Sequence, residues 1–137
     1  MKLDFLKQFI KQTKTDSLKT KDYPKEFLDL KMKVSFGQGA LARVPWVALR
    51  APDMPVSNGY NPVYLFYKKQ GILVLSYGIS ETHIPEKSWE PSIHETKTRI
   101  DDFIDNPARY GDSYVHKYYE PRIEGDEVNF YRDNVKV

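Results

Sequence analysis

The sequence predicts an α+β fold: a curved, mainly antiparallel sheet with flanking helices in a single domain. Three observations predict it. An N-terminal segment has apolar residues at helical spacing, several later segments alternate between apolar and charged residues, and a second segment of helical spacing follows them. The chain has 137 residues, and one core usually serves about 100–200 residues. We therefore expect one domain over residues 1–137.

The first predicted element is an amphipathic helix over about residues 2–13. Lysines at positions 2, 7, 11 and 14 separate its apolar residues, which are Leu3, Phe5, Leu6, Phe9 and Ile10. A polar stretch over residues 12–22 follows and predicts a loop.

A strand is predicted over residues 27–36. Its apolar members at 28, 30, 32, 34 and 36 alternate with polar ones at 29, 31, 33 and 35, which is typical of a half-buried strand with a charged outer face. The strand should end at Gly37-Gln38-Gly39, because glycines permit positive φ. The short apolar run 44–49 predicts another strand, with Pro45 at its edge or start.

The clearest hairpin joins residues 62–67 to 72–77 around the turn 68–71, after a loop over residues 51–61 rich in Pro, Gly, Ser and Asn. Farther on, residues 92–95 match a capping box, and apolar residues up to 104 predict a helix that ends before Pro107. The tail 109–137 is aromatic and charged without a clear period. We therefore expect a helix at each end of the chain.

Composition excludes several classes of protein. The chain has no cysteine, which removes disulfides, thiolate metal sites and a cysteine nucleophile. The first residues lack a signal-peptide pattern, and no stretch reaches the roughly 18–20 apolar residues that span a bilayer. These features predict a cytoplasmic protein with no membrane partner. Aromatic residues make up 14% of the chain, more than a small core can hide, so several should line a surface.

Charge is unevenly distributed along the chain, although the net charge is only +2. Residues 1–36 carry nine lysines against five acids, residues 37–80 carry a net +3, and residues 81–137 carry a net −5. This polarity suits a basic face that meets phosphates, and it suits equally a soluble protein with an uneven surface.

Catalysis has little support in the residues. Pro52-Asp53 and Glu95-Thr96-Lys97 superficially match the metal-binding pattern of many restriction nucleases, but Glu95 and Lys97 fall in a predicted helix, where residues two apart point in different directions. The three histidines, His83, His94 and His116, lack metal-ligand spacing. No Gly-rich phosphate loop is present. We therefore expect a binding domain without a catalytic residue, a metal or a cofactor of its own.

Five stretches carry a family resemblance when they are taken together. They are residues 21–24 (KDYP), 33–39 (KVSFGQG), 44–46 (VPW), 57–63 (SNGYNPV) and 75–80 (LSYGIS). Their order and spacing resemble the N-terminal DNA-binding domain of the McrB family, the specificity subunits of type IV methylation-dependent restriction enzymes. The resemblance runs from about Lys21 to Trp89 and resumes at 109–114 (RYGDSY), so that it covers about 21–114.

The resemblance implies double-stranded DNA carrying a modified base, most often methylated cytosine, as the partner. In that family the domain flips the modified base out of the duplex into a pocket. A separate GTP-dependent motor that uses Mg²⁺ and a nuclease subunit, McrC, supply the other activities. The sequence here contains neither part, so the chain is expected to be an excised domain or a DNA-binding protein that acts alone.

Specific residues acquire roles through the resemblance. Trp46 would be a wall of the flipped-base pocket, Leu65 would lie near the ring edge and Tyr110 would close the pocket. The loop that fills the gap left by the base would be Gly37, Gln38 and Gly39. Phosphate contacts are expected at the basic residues close to that loop, Lys31, Lys33 and Arg43.

Two positions depart from the family's best-known member. That member has an aromatic residue between the two glycines, where this chain has Gln38, which can hydrogen-bond an orphaned guanine but stacks less well. It also has a tyrosine where this chain has Asn61, and the neighbouring Tyr60 could compensate. Tyr60 and Asn61 are therefore assigned to the pocket, and Gln38 is assigned to the gap-filling loop.

Two other functions stay open at the level of sequence. The same exposed aromatics would serve an RNA-binding module, which should accept single strands and contact 2′-hydroxyls. They would also serve a protein-interaction adaptor, which should show no salt-dependent affinity for DNA. On residues alone, Trp46 and Leu65 fit a core strand, and the two glycines fit a simple turn.

Overall fold

The protein is built around an eight-stranded antiparallel sheet in which each strand pairs with the next one along the chain. A computed structural model describes residues 4–27, 30–50, 61–78, 98–105, 107, 109–111 and 115–137. The strands are β1 (Glu26–Phe27), β2 (Leu30–Ser35), β3 (Trp46–Arg50), β4 (Asn61–Tyr67), β5 (Ile72–Gly78), β6 (Val115–Glu124), β7 (Glu127–Arg132) and β8 (Val135–Lys136). The helices are α1 (Asp4–Gln12) and α2 (Ile100–Phe103). The sheet-rich single domain with antiparallel pairing confirms the main part of the expected fold.

Helix α1 covers one face of the sheet, which we call the helix face. The helix begins and ends within two residues of its predicted bounds, and its four apolar side chains are buried. Phe9 is fully buried and its ring lies 5.1 Å from that of Phe36. The strands contribute to this cluster the residues Met32, Val34, Val47, Leu49, Phe66, Leu73 and Val128. Burial of this apolar face fixes the helix on the sheet.

The opposite face, which we call the tryptophan face, has its own core. Successive strand residues point to opposite faces, so Trp46 and Ala48 on β3 lie on the other side from Val47 and Leu49. The α2 segment covers this face with Ile100 and Ile104, both almost fully buried. The strands add Val63, Leu65, Tyr67, Val74 and Val115.

The predicted strand 27–36 is divided in the structure. Phe27 pairs with Leu30 as the end of a short hairpin, so that β2 begins only at Leu30. The predicted alternation is confirmed beyond this point, because Met32 and Val34 are buried while Lys31 and Lys33 are exposed. The hairpin of β4 and β5 around residues 68–71 is confirmed as well, with Asn61 belonging to β4 and not to the preceding loop.

The predicted second helix is shorter than expected. Arg99 has extended backbone angles (φ −83°, ψ 158°), so the helix begins at Ile100 and has only four residues. The carboxylate of Asp102 accepts a hydrogen bond from the backbone N–H of Arg99 (3.3 Å) and so stabilises this late start. The predicted capping box at 92–95 and most of the loop 51–61 lie outside the described residues.

The second helix does not lie at the C-terminal end of the chain, because the tail 115–137, in which the sequence shows no clear period, forms three strands. Two-residue turns join them. Gly125 has φ 65°, and Asp133 and Asn134 have φ 51° and 67°, the backbone that tight hairpins favour. Most side chains of β6 are half-buried on both faces, so the alternation that identifies a strand is weak in this sequence.

Alkaline pH should destabilise the fold through Tyr64. Burial is the larger cause and the electrostatic effect of Tyr119 is the smaller one, and together they raise the pKa of Tyr64 to about 12. Between pH 10 and 12 the unfolded chain loses this proton while the folded chain keeps it. The free energy of unfolding should therefore fall as pH rises, with Tyr64 contributing up to about 1.4 kcal/mol per pH unit. Urea unfolding from pH 9 to 12 should show a shallower decline for Tyr64→Phe, and equal declines would contradict the assignment.

Candidate functional site

Trp46 begins a row of side chains that crosses the tryptophan face. In an antiparallel sheet, directly paired residues lie on the same face. Trp46 pairs with Leu65 on one side and with Ser35 on the other. The row continues through Val74 to Tyr118 on β6. The strand register alone therefore makes Trp46 and Leu65 neighbours.

Trp46, Leu65 and Tyr110, which sequence reasoning assigned to one pocket, belong to one apolar cluster. Trp46 and Tyr110 are half-buried, so part of each aromatic side chain is exposed to solvent. Leu65 is only 2% exposed, so a ligand would reach its side chain only after a neighbour in the cluster shifts. Tyr60 and the side chain of Asn61 lie outside the described residues.

The backbone around Tyr110 is held in an uncommon conformation. Tyr110 has φ 64°, which is rare for a residue other than glycine. Tyr67 donates a hydrogen bond from its hydroxyl to the carbonyl oxygen of Arg109 (2.9 Å), and Asp101 N–H donates to the carbonyl oxygen of Gly111 (2.9 Å). The Arg109 guanidinium lies 4.8 Å from the centre of the Tyr110 ring. Together these contacts fix the position of Tyr110 and maintain its uncommon backbone conformation.

Tyr67 is therefore a site residue that sequence reasoning missed. Its ring is almost fully buried, and its hydroxyl supports the segment that carries Tyr110. Period-two alternation from Leu65 puts Tyr67 on the tryptophan face, which was a usable signal. Its partner is 42 positions away in the sequence, and no local pattern indicates such a contact.

The Gly37-Gln38-Gly39 loop follows β2, and Phe36 alone separates the end of the strand from the first glycine. Gly37 and Gly39 have φ 120° and 74°, as the predicted turn requires. The N–H of Ala42 donates to the carbonyl oxygen of Phe36 (2.8 Å) and closes the loop. Gln38 is exposed on it. Since Ser35 pairs with Trp46, the loop emerges at the Trp46 end of β3.

The three predicted phosphate-binding residues lie at two clefts. Lys31 and Lys33 are exposed on β2, and Lys33 pairs with Ala48, which puts it on the tryptophan face. Lys31 also forms an ion pair with Glu26 (3.3 Å). Arg43 lies elsewhere, at a 410 Å³ cleft that Lys68 and Lys69 of the β4–β5 turn also line. Lys31 and Lys33 therefore line the same cleft, and Arg43 lines a different one.

A second polar arrangement lies at the far end of the row, on the C-terminal hairpin. Tyr118 donates a hydrogen bond to the Asp133 carboxylate (2.9 Å), which raises the pKa of Tyr118. The Arg132 guanidinium lies 5.3 Å from the ring centres of both Tyr118 and Tyr119. These contacts tie β6 to the following hairpin, so we interpret them as structural.

Among the residues that the structure describes, no three histidine or acidic side chains come close enough to hold a metal ion. Within the same residues, no helix is long and apolar enough to cross a membrane.

Comparison with known proteins gives two matches. The family model described as the MrcB-like N-terminal domain matches residues 2–119. The type IV methyl-directed restriction enzyme EcoKMcrB subunit of Escherichia coli K12 is 39% identical over 116 residues, which cover 84% of this chain and 25% of that protein. The chain therefore spans about a quarter of the length of this relative. The family match ends within β6, so β7 and β8 lie beyond it.

Proposed function

Since the chain belongs to the family of MrcB-like N-terminal domains, we propose that it binds double-stranded DNA and recognises a modified base. The base, most often methylated cytosine, would leave the duplex and enter a pocket beside Trp46. The chain would be the specificity module of a modification-dependent restriction system. One observation carries this proposal: a half-buried tryptophan lies next to Leu65 on a sheet face that also presents Lys33.

The pocket residues suit a flipped base because that base must recover stacking that it has lost. Unstacking and unpairing cost a few kcal/mol, and an aromatic face returns about 1–3 kcal/mol per base. Trp46 would supply that face and Tyr110 would close the pocket. Leu65 would lie near the edge of the base, where it could contact a methyl group on the ring. Tyr60 and Asn61 would complete the wall. A methyl group in an apolar pocket is worth about 1–3 kcal/mol, so discrimination should be modest.

The loop with Gln38 would enter the gap that the base leaves. Its glycines bring the backbone close to the duplex, and the exposed Gln38 amide can hydrogen-bond the unpaired guanine. Lys31 and Lys33 would contact phosphates on one side of this loop and Arg43 on another, because they lie at different clefts. Phosphate contacts of this kind fix the register of a protein on its DNA.

In this proposal catalysis belongs to other parts of the system. The match covers a quarter of the restriction subunit, and neither that match nor the residues assign a reaction to this chain. A motor that uses GTP and Mg²⁺ would lie in another domain, and the nuclease partner McrC would act through the full-length protein.

A fluorescence-anisotropy panel tests the proposal directly. Identical duplexes would carry cytosine, 5-methylcytosine, 5-hydroxymethylcytosine, 4-methylcytosine or 6-methyladenine at one position. We expect tighter binding to a modified cytosine than to cytosine. Preferential binding of a single-stranded RNA would favour an RNA-binding module, and no affinity for any nucleic acid would favour a protein adaptor.

The affinity for DNA should also weaken steeply with salt. Each phosphate contact contributes a slope of about −0.9 to log K against log salt. Contacts from Lys31, Lys33 and Arg43 alone therefore predict a slope of about −2.7 and a roughly 40-fold loss of affinity between 50 and 200 mM salt. Titrations of the unmodified duplex at four salt concentrations measure this slope. A slope near zero would exclude these three contacts.

A further inference from the structure

We propose that a lysine-lined cleft on this protein holds the phosphodiester backbone of one DNA strand, and that three loop lysines contact this backbone together with Lys31 and Lys33. The cleft lies between β2 and the loop that joins α1 to β1, and we call it the lysine cleft. It is lined by Lys19, Lys21 and Lys25 from the loop and by Lys31 and Lys33 from β2. This inference rests on the proposed function, since it names the surface that follows the strand away from the pocket.

The backbone of the loop that carries Lys19, Lys21 and Lys25 is held by hydrogen bonds at both of its ends. The side-chain amide of Gln12, at the end of α1, donates hydrogen bonds to the carbonyl oxygens of Ser17 (3.1 Å) and Lys19 (2.7 Å). The same amide accepts one from the Tyr23 hydroxyl (3.0 Å). At the other end of the loop, the N–H of Met32 donates to the carbonyl oxygen of Lys25 (2.9 Å). The loop is therefore pinned to both the helix and the sheet.

The floor of the lysine cleft explains why the loop stays beside the sheet. Tyr23 is 6% exposed and packs its ring 6.0 Å from that of Phe36 in the core. Met32 and Val34, which are buried on the helix face, also line the cleft, whereas Lys33 and Ala48 line it from the tryptophan face, so the cleft reaches both faces of the sheet at β2. All five lysines that line the cleft are exposed, so their charges are accessible to an anionic ligand.

The residues that line the lysine cleft carry a net positive charge. Among the described residues that line it, five are lysines and none is acidic. The ion pair between Lys31 and Glu26 offsets one of these charges. A surface with four further ammonium groups attracts a polyanion through long-range electrostatics.

The size of the cleft favours an extended polyanion over a single small anion. Its volume is 840 Å³, far more than one phosphate group fills. Lys31 and Lys33 are two residues apart on a strand, a separation of about 7 Å. A DNA strand carries one phosphate per about 3.4 Å of helix axis, so lysines about 7 Å apart match the spacing of every second phosphate.

The lysine cleft also lies next to the proposed pocket. Ala48 lines the cleft and is two residues from Trp46 on the same face of β3, about 7 Å away. The strand that contributes the flipped base could therefore continue into the cleft within one or two nucleotides. This continuity makes a DNA strand a better occupant than an acidic protein segment.

The test is a triple variant, Lys19→Gln, Lys21→Gln and Lys25→Gln, compared with a matched triple at another cleft. The control is Lys7→Gln, Lys11→Gln and Lys136→Gln, three lysines that line a cleft between α1 and the C-terminal hairpin. Both triples remove the same charge. Affinity for modified and unmodified duplexes would be measured at four salt concentrations.

We expect the cleft triple to reduce the salt slope by about 2 to 3, since each lost phosphate contact removes about 0.9. The preference for the modified duplex should change less than twofold, because the pocket is intact. The control triple should change the slope by less than about 1. A charge-preserving triple of Lys19→Arg, Lys21→Arg and Lys25→Arg should keep the wild-type slope, which separates loss of charge from loss of fold.

Two results would overturn the inference. One is a wild-type slope in the cleft triple, and the other is an equal loss in both glutamine triples. Either result leaves the proposed function standing if the wild-type protein still prefers a modified duplex. If the wild-type protein binds no DNA, the proposed function fails first and this inference fails with it.

Discussion

Replacing Trp46 with alanine is expected to lower the affinity for a modified duplex by about 5- to 160-fold and so to remove most of the preference for that duplex, since base–aromatic stacking is worth about 1–3 kcal/mol. Affinity for the unmodified duplex should stay within about threefold, because phosphate contacts supply most of the non-specific binding. Anisotropy titrations of Trp46→Ala on both duplexes measure the two effects separately. Trp46→Phe should keep part of the preference, because a smaller aromatic face remains.

The control for Trp46→Ala lies in the same row of the sheet. Tyr118 stands three strands away on that row, a distance of about 14 Å. Tyr118→Ala removes an aromatic side chain from the same face and should leave the preference for the modified duplex unchanged. Equal losses on modified and unmodified duplexes for Trp46→Ala would contradict its role in the pocket.

The second large effect is expected on stability, from Gly37→Ala. Gly37 has φ 120°, a backbone angle that other residues rarely adopt, and an added Cβ would collide with the carbonyl oxygen of Ala40 and lie 2.6 Å from the backbone nitrogen of Ala42. Backbone strain of this kind costs about 1–3 kcal/mol before any collision. We expect a total loss of about 3 kcal/mol or more and a Tm lower by about 10 °C.

Gly39→Ala is the matched control for this loop. Gly39 has φ 74°, but an added Cβ would meet nothing within 4 Å. Its cost should be about 1–2 kcal/mol, the penalty of the left-handed backbone alone. Thermal unfolding of both variants checks the difference. If the two substitutions cost the same, the close approach of Gly37 to the Ala40 carbonyl is not what fixes the loop.

Much of the fold was predictable from sequence wherever one face of a helix or strand is buried and the other face is exposed to solvent. Helix α1 and the alternation on β2 follow from their periodicity, and the β4–β5 hairpin follows from two apolar runs around a turn with Gly71. The hairpin between Phe27 and Leu30 was missed because the alternation continues through it. The strands of the tail were not predicted, because both faces of β6 are only partly buried and its sequence therefore lacks a clear alternation.

The candidate site was predictable to a lesser extent. The family resemblance indicated Trp46, Leu65 and Tyr110, and the structure brings them into one cluster. The support from Tyr67 depends on a contact across 42 positions. The lysine cleft depends on Gln12, whose side chain fixes a loop that local sequence describes only as polar. Contacts of this kind come from tertiary packing, and no spacing rule predicts them.

Tryptophan emission reports directly on stacking at Trp46, because the chain has only two tryptophans. In Trp89→Phe, Trp46 is the single remaining indole. If a flipped base stacks on that ring, a duplex with a modified cytosine should quench its emission with a one-to-one end point, and the unmodified duplex should quench it far less. Binding that anisotropy detects on the modified duplex, with no change in Trp46 emission, would contradict stacking of a flipped base on Trp46.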